Sequence, residues 1–168
     1  MTLRADAQRN LDRLLGAAAE CFAEQGIECS VDEIARRAGV GHGTVFRRFP
    51  TKEALLAAVL AARIGELAAG AELACAEPDA GQAFDEFVRG MADAYRRDRA
   101  LVEAGKRCAL MPETDALLGA VARILQRAQD AGAVRADVGV EDVLALIPTA
   151  SNYPEIVLDG LRPPARTS

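Results

Sequence analysis

The stretch SVDEIARRAGVGHGTVFRRFP, residues 30 to 50, admits few folds. Ser30, followed three residues on by Glu33, has the pattern of a capping box, in which side chain and backbone satisfy each other's free N–H groups at a helix start. Val31, Ile34, Ala35 and Ala38 then supply two turns of apolar stripe. GVGHG follows with three glycines in five residues, which predicts a tight turn. A second short helix restarts near Gly41 or His42, with Val45, Phe46 and Phe49 at helical spacing. Pro50 closes it, because the residue before a proline is pushed out of the α region.

The flanking sequence keeps the same period. Leu11, Leu14, Leu15, Ala18, Cys21 and Phe22 mark a helix from Arg4 to Gln25, with Gly26 as its stop. Thr51 caps a fourth helix, whose stripe of Leu55, Leu56, Val59, Leu60, Ile64 and Leu67 runs to about Cys75. Beyond the linker EPDAG, helices are predicted at roughly 79–98, 100–110, 113–132, 140–150 and 153–162, separated by Asp98, MPET and AGAVRADVG. Aromatic residues make up 4% of the 168 and runs of β-branched residues are almost absent, so an all-α fold is expected.

No uninterrupted apolar run reaches the roughly 18 residues of a membrane span, and MTLRADAQRN lacks the apolar core of a secretory signal. A soluble, cytoplasmic protein without membrane partners is expected. Cys21, Cys29, Cys75 and Cys108 include no C-x-x-C pair, so no metal site is suggested and reduced thiols are expected. His42 is the one histidine in the sequence. With it alone, no nucleophile–base set assembles, so the reading is not an enzyme and calls for no cofactor.

Charge is distributed unevenly. The chain carries a net −5, yet residues 1 to 53 balance eight Lys or Arg against eight Asp or Glu, while the remainder holds twelve against seventeen. Between Ile34 and Lys52 there are five basic side chains and no acidic one. A surface that lies against phosphates omits carboxylates and offers Arg, Lys, hydroxyls and close backbone approach. Helix, glycine turn and helix form the helix-turn-helix unit, whose second helix enters the DNA major groove.

At this point the sequence resembles the DNA-binding domain of the tetracycline-repressor (TetR) family of bacterial regulators. The resemblance rests on AAAECFAEQGIE followed by IARRAGV, GTVFRRF and KEAL at the family's spacing, over residues 8 to 60. It implies an N-terminal three-helix DNA-binding domain at residues 1–53 and a C-terminal helical ligand-binding and dimerisation domain at 54–168. By the same resemblance, His42, Gly43 and Thr44 face base edges or phosphates. Phe46 stands where a tyrosine is common, so a frequent phosphate contact is missing. Arg47 matches a base- or backbone-touching position, Lys52 a phosphate-contacting lysine, and Arg36 and Arg37 are further phosphate candidates. Phe49 reads as core, and Arg48 is given no role.

The resemblance also implies a homodimer bound to a palindromic double-stranded operator and released by a small apolar effector. Candidate pocket residues are Phe84, Phe87, Val88, Met91 and Tyr95 on one helix face, with Met111 and Val121 beyond. After VEDVLALI only PTASN precedes the last apolar stretch, so the terminal helix pair of the dimer interface is expected to be short or incomplete near Ser151 and Asn152. Two other readings remain open: a helical sensor or carrier whose head binds a protein partner, and thiol sensing through Cys29 or Cys108.

Overall fold

The computed structural model of the chain describes residues 3–108 and 114–164. Among these it is all helical. The elements are α1 (Leu3–Gln25), a 3-10 turn (Gly26–Glu28), α2 (Val31–Ala38), α3 (His42–Arg48), α4 (Lys52–Ala74), α5 (Ala80–Arg97), α6 (Arg99–Arg107), α7 (Asp115–Asp130), α8 (Val140–Ala150) and α9 (Pro154–Leu161). Most helix ends fall within two residues of those expected from periodicity. The stretch expected to be helical to residue 110 ends at Arg107, and Met111 lies outside the described residues.

The helices pack as two compact units. Among the described residues the first comprises 3–63 together with 98–108, so α6 belongs with α1, α2 and α3. Its core holds Leu14, Ala18, Phe22, Ile34, Val45, Leu55, Leu56 and Leu101. Asp98, only 6% exposed, sets the start of α6 opposite Arg63, at 3.6 Å.

In the second unit α5 packs on α7, α8 and α9. Phe84, Val88, Met91, Val121, Ile124, Val143, Ile147 and Leu158 form one continuous core. Arg89 grips Glu155 with two hydrogen bonds of 3.1 and 3.0 Å, and Arg162 reaches Asp85 at 2.9 Å; both ties join α5 to the α9 end. The Arg127 guanidinium donates to the carbonyls of Ala74 and Glu77 at 3.2 and 2.7 Å, closing the C-terminal end of α4. At the segment singled out in the sequence, α8 of 11 residues passes to α9 of 8 residues through a turn at Ser151 and Asn152. There the buried Ser151 hydroxyl donates to the Pro148 carbonyl at 2.7 Å, and Arg96 donates to the Ser151 carbonyl at 3.0 Å.

Helix α4 has 23 residues and a mean hydropathy of 1.6 over its most apolar window, long and apolar enough by composition to span a membrane. Part of its apolar surface is used in packing: Leu55, Leu56, Val59 and Leu60 enter the core of the first unit and Ala71 that of the second, while Leu73 is 74% exposed.

The expectation of reduced thiols is corrected at one pair. Cys21 and Cys29 form a disulfide with their Cα atoms 5.9 Å apart, and both are fully buried. No C-x-x-C pattern signals this bond, because the pairing depends on the 3-10 turn, which folds residue 29 back onto the last turns of α1. Gly26, at φ +62°, makes that reversal in the left-handed region that favours glycine. Cys75 and Cys108 are free. Alkylation of the unfolded protein is expected to label two thiols without reductant and four with it. Reduction is expected to lower stability by about 2–3 kcal/mol, the chain-entropy value for so short a loop, measured by denaturant unfolding with and without dithiothreitol.

Candidate nucleic-acid interface

The helix pair at residues 31–48 is assembled by local chemistry. Ser30 is extended (φ −83°, ψ 149°) and its Oγ accepts the Glu33 N–H at 3.2 Å, which starts α2. Only this half of the expected capping box forms. The Glu33 carboxylate instead receives Arg36 at 2.9 and 2.7 Å and Arg37 at 2.7 Å, because charged guanidinium donors one turn along outcompete a neutral N–H. Gly39, at φ +66°, ends α2 in the left-handed region, donating its N–H to the Arg36 carbonyl at 3.2 Å. Gly41 is extended and its carbonyl accepts the Thr44 N–H at 2.8 Å, opening α3.

Helix α3 is held to its unit by little. Val45 is its sole buried residue, and Phe49, just past its end, packs against the same core. His42, Gly43, Thr44, Phe46, Arg47 and Arg48 are all exposed. The His42 ring packs at a tilt against Phe46 with centroids 4.5 Å apart, and its Nδ1 pairs with Asp32 of α2. Arg47 donates to the Thr44 hydroxyl at 3.2 Å.

The fold divides the five cations of the acid-free stretch into two groups. Arg36 and Arg37 share Glu33, and Arg37 also pairs with Glu24 at 2.9 Å. Hydrogen bonds from Arg36 and then Arg37 hold the Glu33 carboxyl well below the usual carboxylate range, at about 2. The Arg37 pKa is raised in turn by Glu24 and Glu33. Lys52 is half-buried and donates to the Ile27 carbonyl at 2.5 Å. Arg47 and Arg48 meet no carboxylate among the described residues. Arg48 is therefore a candidate that the sequence alone does not single out; its signal is its position beside Arg47 in the acid-free stretch.

The pocket candidates of the second unit lie elsewhere in the chain. Phe84, Phe87, Val88, Met91 and Val121 are buried in one core, with Tyr95 half-buried at its margin. They are packed against one another.

Comparisons with known proteins bear on both units. Residues 14–59 match the sequence profile of the bacterial regulatory proteins of the tetR family. Residues 79–163 match that of the SbtR-like transcriptional regulator C-terminal domain. The structure is similar to that of a TetR transcription regulatory protein from Mycobacterium vanbaalenii, with a TM-score of 0.81, 40% identity, and coverage of 96% of this chain and 100% of that one. A TetR regulator of Streptomyces coelicolor matches with a TM-score of 0.75 and 28% identity, over 92% of this chain and 99% of that one. An uncharacterized HTH-type transcriptional regulator of Mycobacterium tuberculosis is 34% identical over 87 residues, 51% of this chain and 44% of its own length. The chain thus spans about half the length of the curated relatives it matches first.

Proposed function

Because the chain belongs to the tetR family of bacterial regulatory proteins, we propose that it is a cytoplasmic, dimeric transcriptional repressor that reads a palindromic operator through α3 and leaves it when a small effector binds the second unit. The observation that carries the DNA reading is the exposure of all of α3 except Val45, with Arg47 and Arg48 unmatched by any described carboxylate. His42, Gly43, Thr44 and Arg47 then face the bases. Arg48 and Lys52 take phosphates, as do Arg36 and Arg37 once they turn from Glu33. Two heads on a two-fold axis suit two half-sites one helical turn apart. Tyr153 and Ile156, 59% and 70% exposed at α9, give the second unit an apolar surface suited to a second copy.

The test is salt. Duplexes selected from a random pool on the protein should lose about a thousandfold or more in affinity between roughly 50 and 200 mM salt, as phosphate neutralisation by several cations requires. A salt-insensitive signal, or none, would sink the reading in favour of a protein partner for the head.

A second expectation concerns Glu33. Glu33→Gln removes the charge that occupies Arg36 and leaves Arg37 with Glu24 alone, so affinity for any duplex should rise and the log–log salt slope should steepen by about one for each arginine that engages a phosphate. Fluorescence anisotropy at several salt concentrations measures both. The pH dependence has a defined sign. The Glu33 pKa is lowered from 4.5 to about 2 in the fold, so its ion pairs contribute fully above the unfolded value and are lost as pH falls toward 2.

A further inference from the structure

The first unit has a cavity that the DNA reading does not use. It lies between α1 and α3, has a volume of about 340 Å³, and is open on one side. Its walls are predominantly apolar, built from Ala7, Leu11 and Leu14 of α1 and from Val40 of the turn. Its rim is cationic. Arg47 and Arg48 both line it, and no acidic side chain does. The α1 carboxylates nearest in sequence are already engaged, Asp6 by Arg9 and Asp12 by Gln8. The Asn10 side-chain oxygen is taken by Arg13, which turns the rest of that amide into a further donor at the rim.

An apolar floor beneath two guanidiniums with no described carboxylate partner fits one kind of occupant. DNA phosphates satisfy the arginines but leave the exposed Ala7 and the half-buried Leu11 and Val40 uncovered. An uncharged apolar molecule covers the floor and leaves the arginines unmatched. The volume is within the range of small-molecule sites, in which apolar walls and a few placed polar groups share the work. Guanidinium pairs with carboxylate in a two-pronged geometry.

We propose that the groove between α1 and α3 binds a free hydrophobic carboxylate, whose tail lies on Leu11, Leu14 and Val40 and whose carboxylate meets Arg47 and Arg48. Because the same arginines face DNA, such a ligand competes with the operator directly, at the reading surface itself. The binding half stands without the proposed repressor function; the competition half rests on it.

The experiment follows backbone amides of the full chain by NMR during titration with sodium decanoate below its aggregation threshold, with decanol as the uncharged counterpart. Saturable shifts are expected at Leu11, Val40 and Thr44, with decanol at least about tenfold weaker for want of the charge-assisted pair. Ala7→Phe, which fills the groove from an exposed position of α1, should weaken decanoate by about tenfold or more with the thermal midpoint unchanged. Equal binding of decanol, shifts confined to the second unit, or indifference to Ala7→Phe would each overturn the proposal. Shifts of these amides by duplex DNA but not by decanoate would assign the groove to nucleic acid. Decanoate shifts in a protein that binds no DNA would leave the site standing and remove the repressor reading. DNA binding that decanoate fails to displace, despite saturable groove shifts, would overturn the competition.

Discussion

Replacing Arg47 and Arg48 together by alanine should lower operator affinity by about a thousandfold. Removing one arginine from a base or phosphate costs at least about 1 kcal/mol, and in a symmetric dimer each substitution acts at both half-sites. The two residues should separate in character. Arg47→Ala should also relax the preference at one position of each half-site, whereas Arg48→Ala should weaken all sequences alike. Arg135→Ala is the control, because that arginine pairs with Asp137 at 2.6 and 2.7 Å in the second unit, and it should leave affinity unchanged. Anisotropy titrations against the selected operator and single-base variants measure these differences. If the double variant binds as the parent does, α3 is not the reading element.

The second large effect is in the other unit. Phe84 has no exposed surface and sits in the core shared by α5, α7, α8 and α9, so Phe84→Ala should destabilise that unit by about 3–5 kcal/mol. Hydrogen exchange at core amides such as Ile124 and Ala150 is the suitable readout, because a chain of two compact units need not unfold in one step. The same variant examines the pocket candidates. A phenylalanine lining a preformed effector cavity lacks packing partners on one side, and its truncation costs far less than one in a filled core. A loss below about 1 kcal/mol would favour a cavity beside Phe84.

The helical layout was legible because its punctuation is local. Ser30, Gly39, Gly41 and Pro50 act on their own backbone or their immediate neighbours, and the structure places α2 and α3 at the boundaries they predict. Tertiary partnerships carried no such signal. The acid-free stretch is acid-free only along the chain: Glu24, Asp32 and Glu33 flank it in sequence and return to it in space. Nothing in the helical period separates Arg36 and Arg37, occupied by carboxylates, from Arg47 and Arg48, which meet no carboxylate among the described residues. The union of α6 with the N-terminal helices rests on Leu101 and Ala104 meeting residues far upstream, a pairing no local pattern encodes. The Cys21–Cys29 bond depended on a three-residue turn that hydrophobic spacing does not resolve.

Helix α3 touches its own core through Val45 alone among its seven residues. Substitutions other than proline at the exposed positions besides Gly43 should each alter folding stability by less than about 0.5 kcal/mol, the usual range for surface sites. On the proposed reading, recognition and folding are therefore governed by different residues within two turns of helix. A gene for such a head can diverge toward a new operator through a series of single changes, each intermediate remaining folded, while Val45 and the scaffold beneath it stay as they are.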